Sequence, residues 1–288
     1  MRIADLYARG KPVFSFEFFP PRTAKGARSL FETIRELAAF RPDYVSVTCP
    51  LDKERRLLTY QVVARLKREV GIEAMAHLVT QDYSRKEVEE VFDLLRSEGI
   101  ENVLALRGDL PEGADPDAPR DFPHAADLAR FARAFGFSIG GAAHPEKHPD
   151  SPDWESEMRH AREKVQAGCE FLITQLFFDN EDYFRYLERA REVGIEVPIV
   201  PGIMPVSSVP GIKRMAAQNG NVIPAALLAE LEAAEGDAKA VHRVGVRHAT
   251  TQCEGLLRHG VPGIHFYTLN RSPATREILV SLREKLGV

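Results

Sequence analysis

Near the start of the chain, apolar and polar positions alternate with a period of two. Phe14, Phe16 and Phe18 fall on one side, and Ser15, Glu17 and Phe19 on the other. Pro20 and Pro21 lack the N–H that a ladder needs and end this strand. A carboxylate thus stands near the C-terminal end of a strand whose opposite face is wholly aromatic. Over residues 27–40 the period lengthens, with Leu30, Ile34, Leu37 and Ala38 marking a helix. The same succession then recurs. Further strands are predicted at 44–48, 73–78, 102–106, 138–143, 171–178, 198–204 and 263–269, and helices at 57–70, 85–98, 125–135, 154–167 and after Asn180. The last interval is much longer and holds periodic stretches at 224–235 and 238–259, which predicts an extra helix between strands 7 and 8.

Eight strands alternating with helices predict an α/β chain folded as a (β/α)8 TIM barrel, one domain over residues 1–288. Glu17, Thr48, His77, Asp109, His144 and Gln175 follow one another at intervals of 31, 29, 32, 35 and 31 residues. Each stands at or just past the C-terminal end of a predicted strand, the face on which such barrels build their sites. Singly, each has a plainer reading. A lone His77 is more often a satisfied core histidine, Thr48 a β-branched strand residue, Arg107 and Asp109 an exposed ion pair, and Lys164 part of a solvated helix face. Gln175 is harder to dismiss, because an unpaired amide in an apolar strand is costly. Their recurrence at one mouth favours a constellation, above all for Glu17, Asp109 and Gln175.

Composition narrows the classes. The chain has 44% hydrophobic and 28% charged residues and a net charge of −4, which gives no electrostatic case for nucleic acid or an anionic membrane. No apolar run approaches the roughly 18 residues of a spanning helix, and the first residues lack the apolar core of a secretory signal. Three dispersed cysteines, Cys49, Cys169 and Cys253, fit a reducing cytoplasm and neither a disulfide framework nor a zinc site. His144 and His148 flank Glu146 among prolines rather than on an HExxH helix, so no metal site is expected. GxGxxG, Walker and GxSxG motifs are absent.

Five stretches resemble those of the 5,10-methylenetetrahydrofolate reductase family, in its order and across nearly the whole chain. They are Ser15-Phe16-Glu17-Phe18-Phe19-Pro20-Pro21, Leu106-Arg107-Gly108-Asp109, Thr174-Gln175-Leu176-Phe177-Phe178-Asp179, Pro201-Gly202-Ile203-Met204-Pro205 and His265-Phe266-Tyr267-Thr268-Leu269-Asn270-Arg271. The resemblance implies a cytoplasmic flavoprotein that holds FAD in the barrel without a Rossmann domain. It implies ping-pong chemistry, in which NADH or NADPH reduces FAD and FAD then reduces methylenetetrahydrofolate to 5-methyltetrahydrofolate for methionine synthesis. A homo-oligomer, dimer or tetramer, is expected. Rival readings are another flavin barrel, such as proline dehydrogenase, and a folate- or flavin-binding protein without turnover.

Carried over motif by motif, Glu17 resembles the acid that protonates the folate nitrogen. Asp109 resembles the residue beside flavin and folate whose negative charge favours an iminium intermediate. Gln175 matches a residue shared by folate and nicotinamide nucleotide. Thr48, His77, Arg107 and Gly108 match flavin contacts. His124, Ala125, His144, His148, Ser151, Glu157, His160 and Lys164 align with the segments that hold the rest of FAD, Lys164 as the pyrophosphate's partner. Met215 and Arg271 align with substrate contacts. The sequence departs from the family where His144 replaces a frequent Tyr, near His124 where an aromatic is usual, and at Gly211 and Met215, which stand where Gln and Phe are usual. With Val288 last, a C-terminal regulatory domain and inhibition by S-adenosylmethionine are not expected.

Overall fold

The structure, a computed structural model, describes residues 1–108, 113, 115 and 118–287; Asp109 lies outside the described residues. The alternation at the start of the chain becomes strand β1 (Val13–Phe18). Phe16 and Phe18 pack outward into the large apolar cluster between sheet and helices, while Val13 joins an inner cluster with Tyr44, Met75, Leu104, Phe171 and Val200. Ser15 and Glu17 share the inward side with Val13, as a period of two requires.

Around β1 run β2 (Tyr44–Val47), β3 (Ala74–Val79), β4 (Asn102–Leu106), β5 (Ser138–Ala143) and β6 (Phe171–Thr174), each paired in parallel with the one before. The expected seventh strand is interrupted at Pro201. Its first half, β7 (Ile199–Val200), pairs with β6, and its second half, β8 (Gly202–Ile203), pairs with β9 (Gly263–Tyr267). Because β9 also pairs with β1, the nine-stranded ladder closes on itself as an eight-stranded barrel. Pro201 donates nothing to the ladder but accepts the His265 N–H at 3.0 Å. Gly202 must be glycine here, since an added Cβ would lie 2.4 Å from the Thr174 carbonyl.

The helices on the outside are α2 (Ala24–Ala38), α3 (Arg56–Arg65), α4 (Arg85–Ser97), α5 (Ala125–Ala134), α6 (Trp154–Ala167), α7 (Asn180–Glu192), α10 (Ala238–Arg258) and α11 (Pro273–Leu286). Three differences from the sequence reading stand out. A one-turn helix α1 (Ala4–Tyr7) sends Ile3 and Leu6 into the inner cluster and closes the N-terminal end of the barrel. The long interval before β9 holds α8 (Val209–Asn219) and α9 (Ala225–Ala233) besides α10, which packs between α7 and α11, so the barrel carries two extra helices rather than one. Strand β6 stops at Thr174, leaving Gln175 one residue past its end.

Candidate active site

A cavity of about 620 Å³ opens at the C-terminal ends of the strands, within the ~300–1,000 Å³ usual for small-molecule sites. Glu17, Thr48, His77, Arg107, Gly108, His124, Ala125, His144, His148, Ser151, Glu157, His160, Lys164 and Gln175 all line it. Residues more than 150 positions apart therefore meet in one place, as their spacing along the strands anticipates. Two candidates do not line it. Met215 packs among Leu176, Met204, Val209 and Ile212 beneath α8, and Arg271 is exposed after β9. The cavity also takes in Phe19, Cys49, Leu51, Asp150, Glu163 and Tyr267, which the sequence reading did not single out.

Glu17 lies at the cavity floor with 7% of its surface exposed. Its Oε2 is 3.4 Å from His77 Nε2 on β3 and 3.4 Å from His265 Nε2 on β9. The backbone around it is fixed, since Thr268 Oγ1–H donates to the Glu17 carbonyl at 2.6 Å. His77 is buried, and burial outweighs the attraction of Glu17 and pushes its pKa down to about 4. His77 is therefore neutral at physiological pH, and its Nε2 is without a hydrogen-bond partner among the described residues.

The opposite wall is built by α6 and the loop before it. Asp153 caps α6 by accepting the Ser156 N–H at 2.8 Å. Glu157, His160 and Lys164 then follow at helical spacing, so one face of α6 looks into the cavity. Glu157 accepts from Ser151 Oγ at 2.7 Å and from the His148 N–H at 3.1 Å, with His144 Nδ1 at 3.5 Å. Burial alone would raise its pKa, but His144, Ser151 and Lys164 together lower it to about 2. Lys164 donates to the Ala142 carbonyl at 2.5 Å, and burial lowers its pKa while Glu157 acts to raise it. Among the described residues, His144 Nδ1 has no partner closer than Glu157 Oε1 at 3.5 Å.

At the rim, Arg107 pairs with Asp150 at 3.0 Å and so ties the end of β4 to the loop after β5. Gly108 has φ 90°, and a Cβ there would lie 2.4 Å from Val79 Cγ1, so only glycine lets the chain pass. Gln175 turns its side-chain oxygen onto the Leu176 N–H at 2.9 Å. Around the family departures the rings are grouped in pairs. His144 meets His148 edge to face at 4.7 Å, and His124 lies parallel to His160 at 6.4 Å. Among the described residues no cluster has metal-ligating character, and no helix is long and apolar enough to cross a membrane.

Known proteins match over the whole of this framework. A protein of Pectobacterium carotovorum named 5,10-methylenetetrahydrofolate reductase is 36% identical over 282 residues, covering 97% of this chain and 92% of its own length. The Escherichia coli protein of the same name is 34% identical over 97% of this chain and 94% of its length. Arabidopsis thaliana methylenetetrahydrofolate reductase (NADH) 1 is 35% identical over 98% of this chain, which spans only 50% of that longer protein. Among solved structures, a protein of Clostridium thermocellum that binds two copies of 5-methyl-5,6,7,8-tetrahydrofolic acid superposes with a TM-score of 0.65 at 15% identity, covering 98% of this chain and 97% of its own, a likeness of fold. The model of the family described as Methylenetetrahydrofolate reductase matches residues 2–283, and the chain belongs to that family.

Proposed function

We propose that this protein is an FAD-dependent methylenetetrahydrofolate reductase that takes electrons from NADH or NADPH and delivers them to 5,10-methylenetetrahydrofolate. The observation that carries the reading is the position of Glu17, a buried carboxyl at the floor of one large cavity, in a chain whose family match spans nearly its full length. The donor set fits the cofactor. Lys164 gives a large polyanionic ligand a cation, and the ring nitrogens of His77 and His144, held only by long contacts of 3.4 Å to Glu17 and 3.5 Å to Glu157, give it two more polar atoms. Thr48, His77, Arg107 and Gly108 would hold its ring system, and His144, His148, Ser151, Glu157, His160 and Lys164 the ribityl, phosphate and adenosine parts. FAD, when bound, supplies two-electron transfer between nicotinamide nucleotide and folate.

The chain's own residues then have distinct tasks. Glu17 carries the proton that the departing folate nitrogen needs when the five-membered ring opens. Gln175, at the end of β6, contacts whichever substrate occupies the mouth. Asp109 beside the ring system remains a role drawn from the resemblance. Binding both substrates in turn at one mouth gives ping-pong kinetics, and a role in methionine synthesis follows from the product. The arrangement suits a protein of the cytoplasm, and a homo-oligomer is part of the reading.

Purified protein should be yellow with an oxidised-flavin spectrum. It should bleach on addition of NADH without oxygen and regain colour on addition of methylenetetrahydrofolate. A colourless protein would remove the flavin. A yellow protein that bleaches but never recolours with the folate would remove the reductase.

A further inference from the structure

We propose that Ser15 and His265, which lie beneath the cavity and not in it, form a pair that holds Oε2 of Glu17 and leaves Oε1 to carry the transferable proton. The inference rests on the reading of Glu17 as the acid and adds the residues that aim it.

The pair is a product of register. Strand β9 inserts beside β1 so that Ser15 pairs with His265 across the ladder, one layer below Glu17. Both side chains are fully buried. Neighbouring strands fill the interior below the cavity with Met75, Leu104, Phe171 and Val200, so a hydroxyl and an imidazole there forfeit apolar packing and need each other as partners. Ser15 Oγ and His265 Nδ1 are 2.7 Å apart, whereas the other ring nitrogen reaches Glu17 Oε2 at 3.4 Å.

His265 cannot swing away. Tyr44 lies nearly parallel to its ring at 6.2 Å, and Tyr267 stands edge-on at 5.3 Å, itself tied by its hydroxyl to the Thr174 carbonyl at 2.6 Å. Tyr44 stands beside Ser15 on the neighbouring strand, and its hydroxyl meets the Tyr7 hydroxyl at 2.9 Å. A carboxyl oxygen beside Nε2 favours the proton on that nitrogen, which leaves Nδ1 to accept from the Ser15 O–H. The ring then carries its proton on Nε2, directed at Glu17. That tautomer suits the carboxylate left when Glu17 gives up its proton. Both imidazoles contact the same carboxyl oxygen, Oε2. Oε1 takes part in neither contact. His265 has no surface in the cavity, so any effect it has on the chemistry passes through the cavity residues it touches, Glu17 and Tyr267.

The experiment compares His265→Asn and His265→Gln in the flavin-loaded protein, alongside ring-nitrogen NMR of the unsubstituted protein. Asparagine keeps a partner for Ser15 but falls short of Glu17; glutamine extends an amide N–H to the place of Nε2. Reoxidation of reduced flavin by saturating methylenetetrahydrofolate should slow about 30-fold in His265→Asn, within the roughly hundredfold that a misplaced reacting group costs. It should recover most of its rate in His265→Gln, with folate affinity changed less than about twofold in both. The NMR spectrum should show His265 as the Nε2–H tautomer, and Ser15→Ala should shift that signal. Equal rates in the two variants, or a loss confined to folate affinity, would overturn the proposal. So would an Nδ1–H tautomer, even if neither variant folds. Failure of the unsubstituted protein to be recoloured by folate counts against the reductase reading instead.

Discussion

Two buried glutamates face each other across the cavity, and their surroundings are unlike. Glu157, 2% exposed, accepts from the Ser151 hydroxyl and the His148 N–H, with the His144 ring at 3.5 Å and the Lys164 charge nearby. Glu17, 7% exposed, meets among the described residues two imidazole nitrogens, each at 3.4 Å. A carboxylate whose lone pairs are filled is locked in its charge and serves as a fixed anchor for a loop and a helix. A carboxyl short of partners keeps an oxygen available for a proton that comes and goes. On the proposed function, identical side chains take opposite tasks according to how many donors the fold provides.

Removing the exchangeable proton should have the largest effect. In Glu17→Gln the shape is kept, so flavin binding and bleaching by NADH should persist. Reoxidation by methylenetetrahydrofolate should slow by about 10²–10⁴-fold, the usual range for loss of general acid catalysis. Stopped-flow absorbance separates the two steps, and a folate step within a few-fold of normal would strip Glu17 of its role.

Glu157→Gln attacks the anchor and should read out as stability. Urea unfolding should show a loss of about 2–4 kcal/mol, because buried donors lose a charged acceptor. The pH profile sharpens the contrast. A carboxyl lowered in the folded state stabilises it at pH values above its unfolded pKa of 4.5, and that contribution fades as pH falls toward about 2. The acid limb of the unfolding curve should therefore flatten in the variant. An unchanged limb would mean that Glu157 is not the locked partner described.

Lys164→Ala tests whether the anchored wall grips the cofactor. Losing a charge-assisted bond costs roughly 1.5–3 kcal/mol, so flavin should dissociate about 10- to 100-fold more readily on dilution, as fluorescence of the released flavin would record. Retention equal to that of the unsubstituted protein would count against this contact.

The smallest effect concerns His77. Its folded pKa, about 4, lies below the ordinary 6.5, so the unfolded chain binds a proton that the native state refuses between those values. Stability should therefore rise with pH from about 4 to 6.5, and His77→Gln should reduce that slope. His144 and His248, also lowered by burial, contribute in the same direction and drop out of the difference. Parallel curves for the two proteins would show that His77 is not the buried neutral base at the floor.

Much of this was legible in the sequence because strand period and strand spacing are local signals. The alternation around Glu17 gave its facing, and intervals of about thirty residues carried Thr48, His77, His144 and Gln175 to one mouth. What escaped depends on pairing between distant segments. Ser15 and His265 are 250 positions apart, and only the β1–β9 register shows that they touch. Arg107 pairs with Asp150 on another loop, 43 positions away. Helix α1 is a single turn, too short for a periodic signal, yet its Ile3 and Leu6 fill the barrel's end. Met215, aligned with a substrate contact, packs partly buried against the apolar cluster around Leu176, Met204 and Ile212.

The splice at Pro201 also bears on how the molecule comes to be folded. Strand β9, some 245 residues after the end of β1, slots between the first strand and the second half of an interrupted one. Until it arrives, β1 offers an unpaired edge, its outward side carrying Phe14, Phe16 and Phe18, and the curl of strands has no closing member. The β1–β9 ladder is therefore a late contact of high sequence separation, and a growing chain leaves that edge unpaired for more than two hundred residues, a stretch over which an exposed strand is open to aggregation.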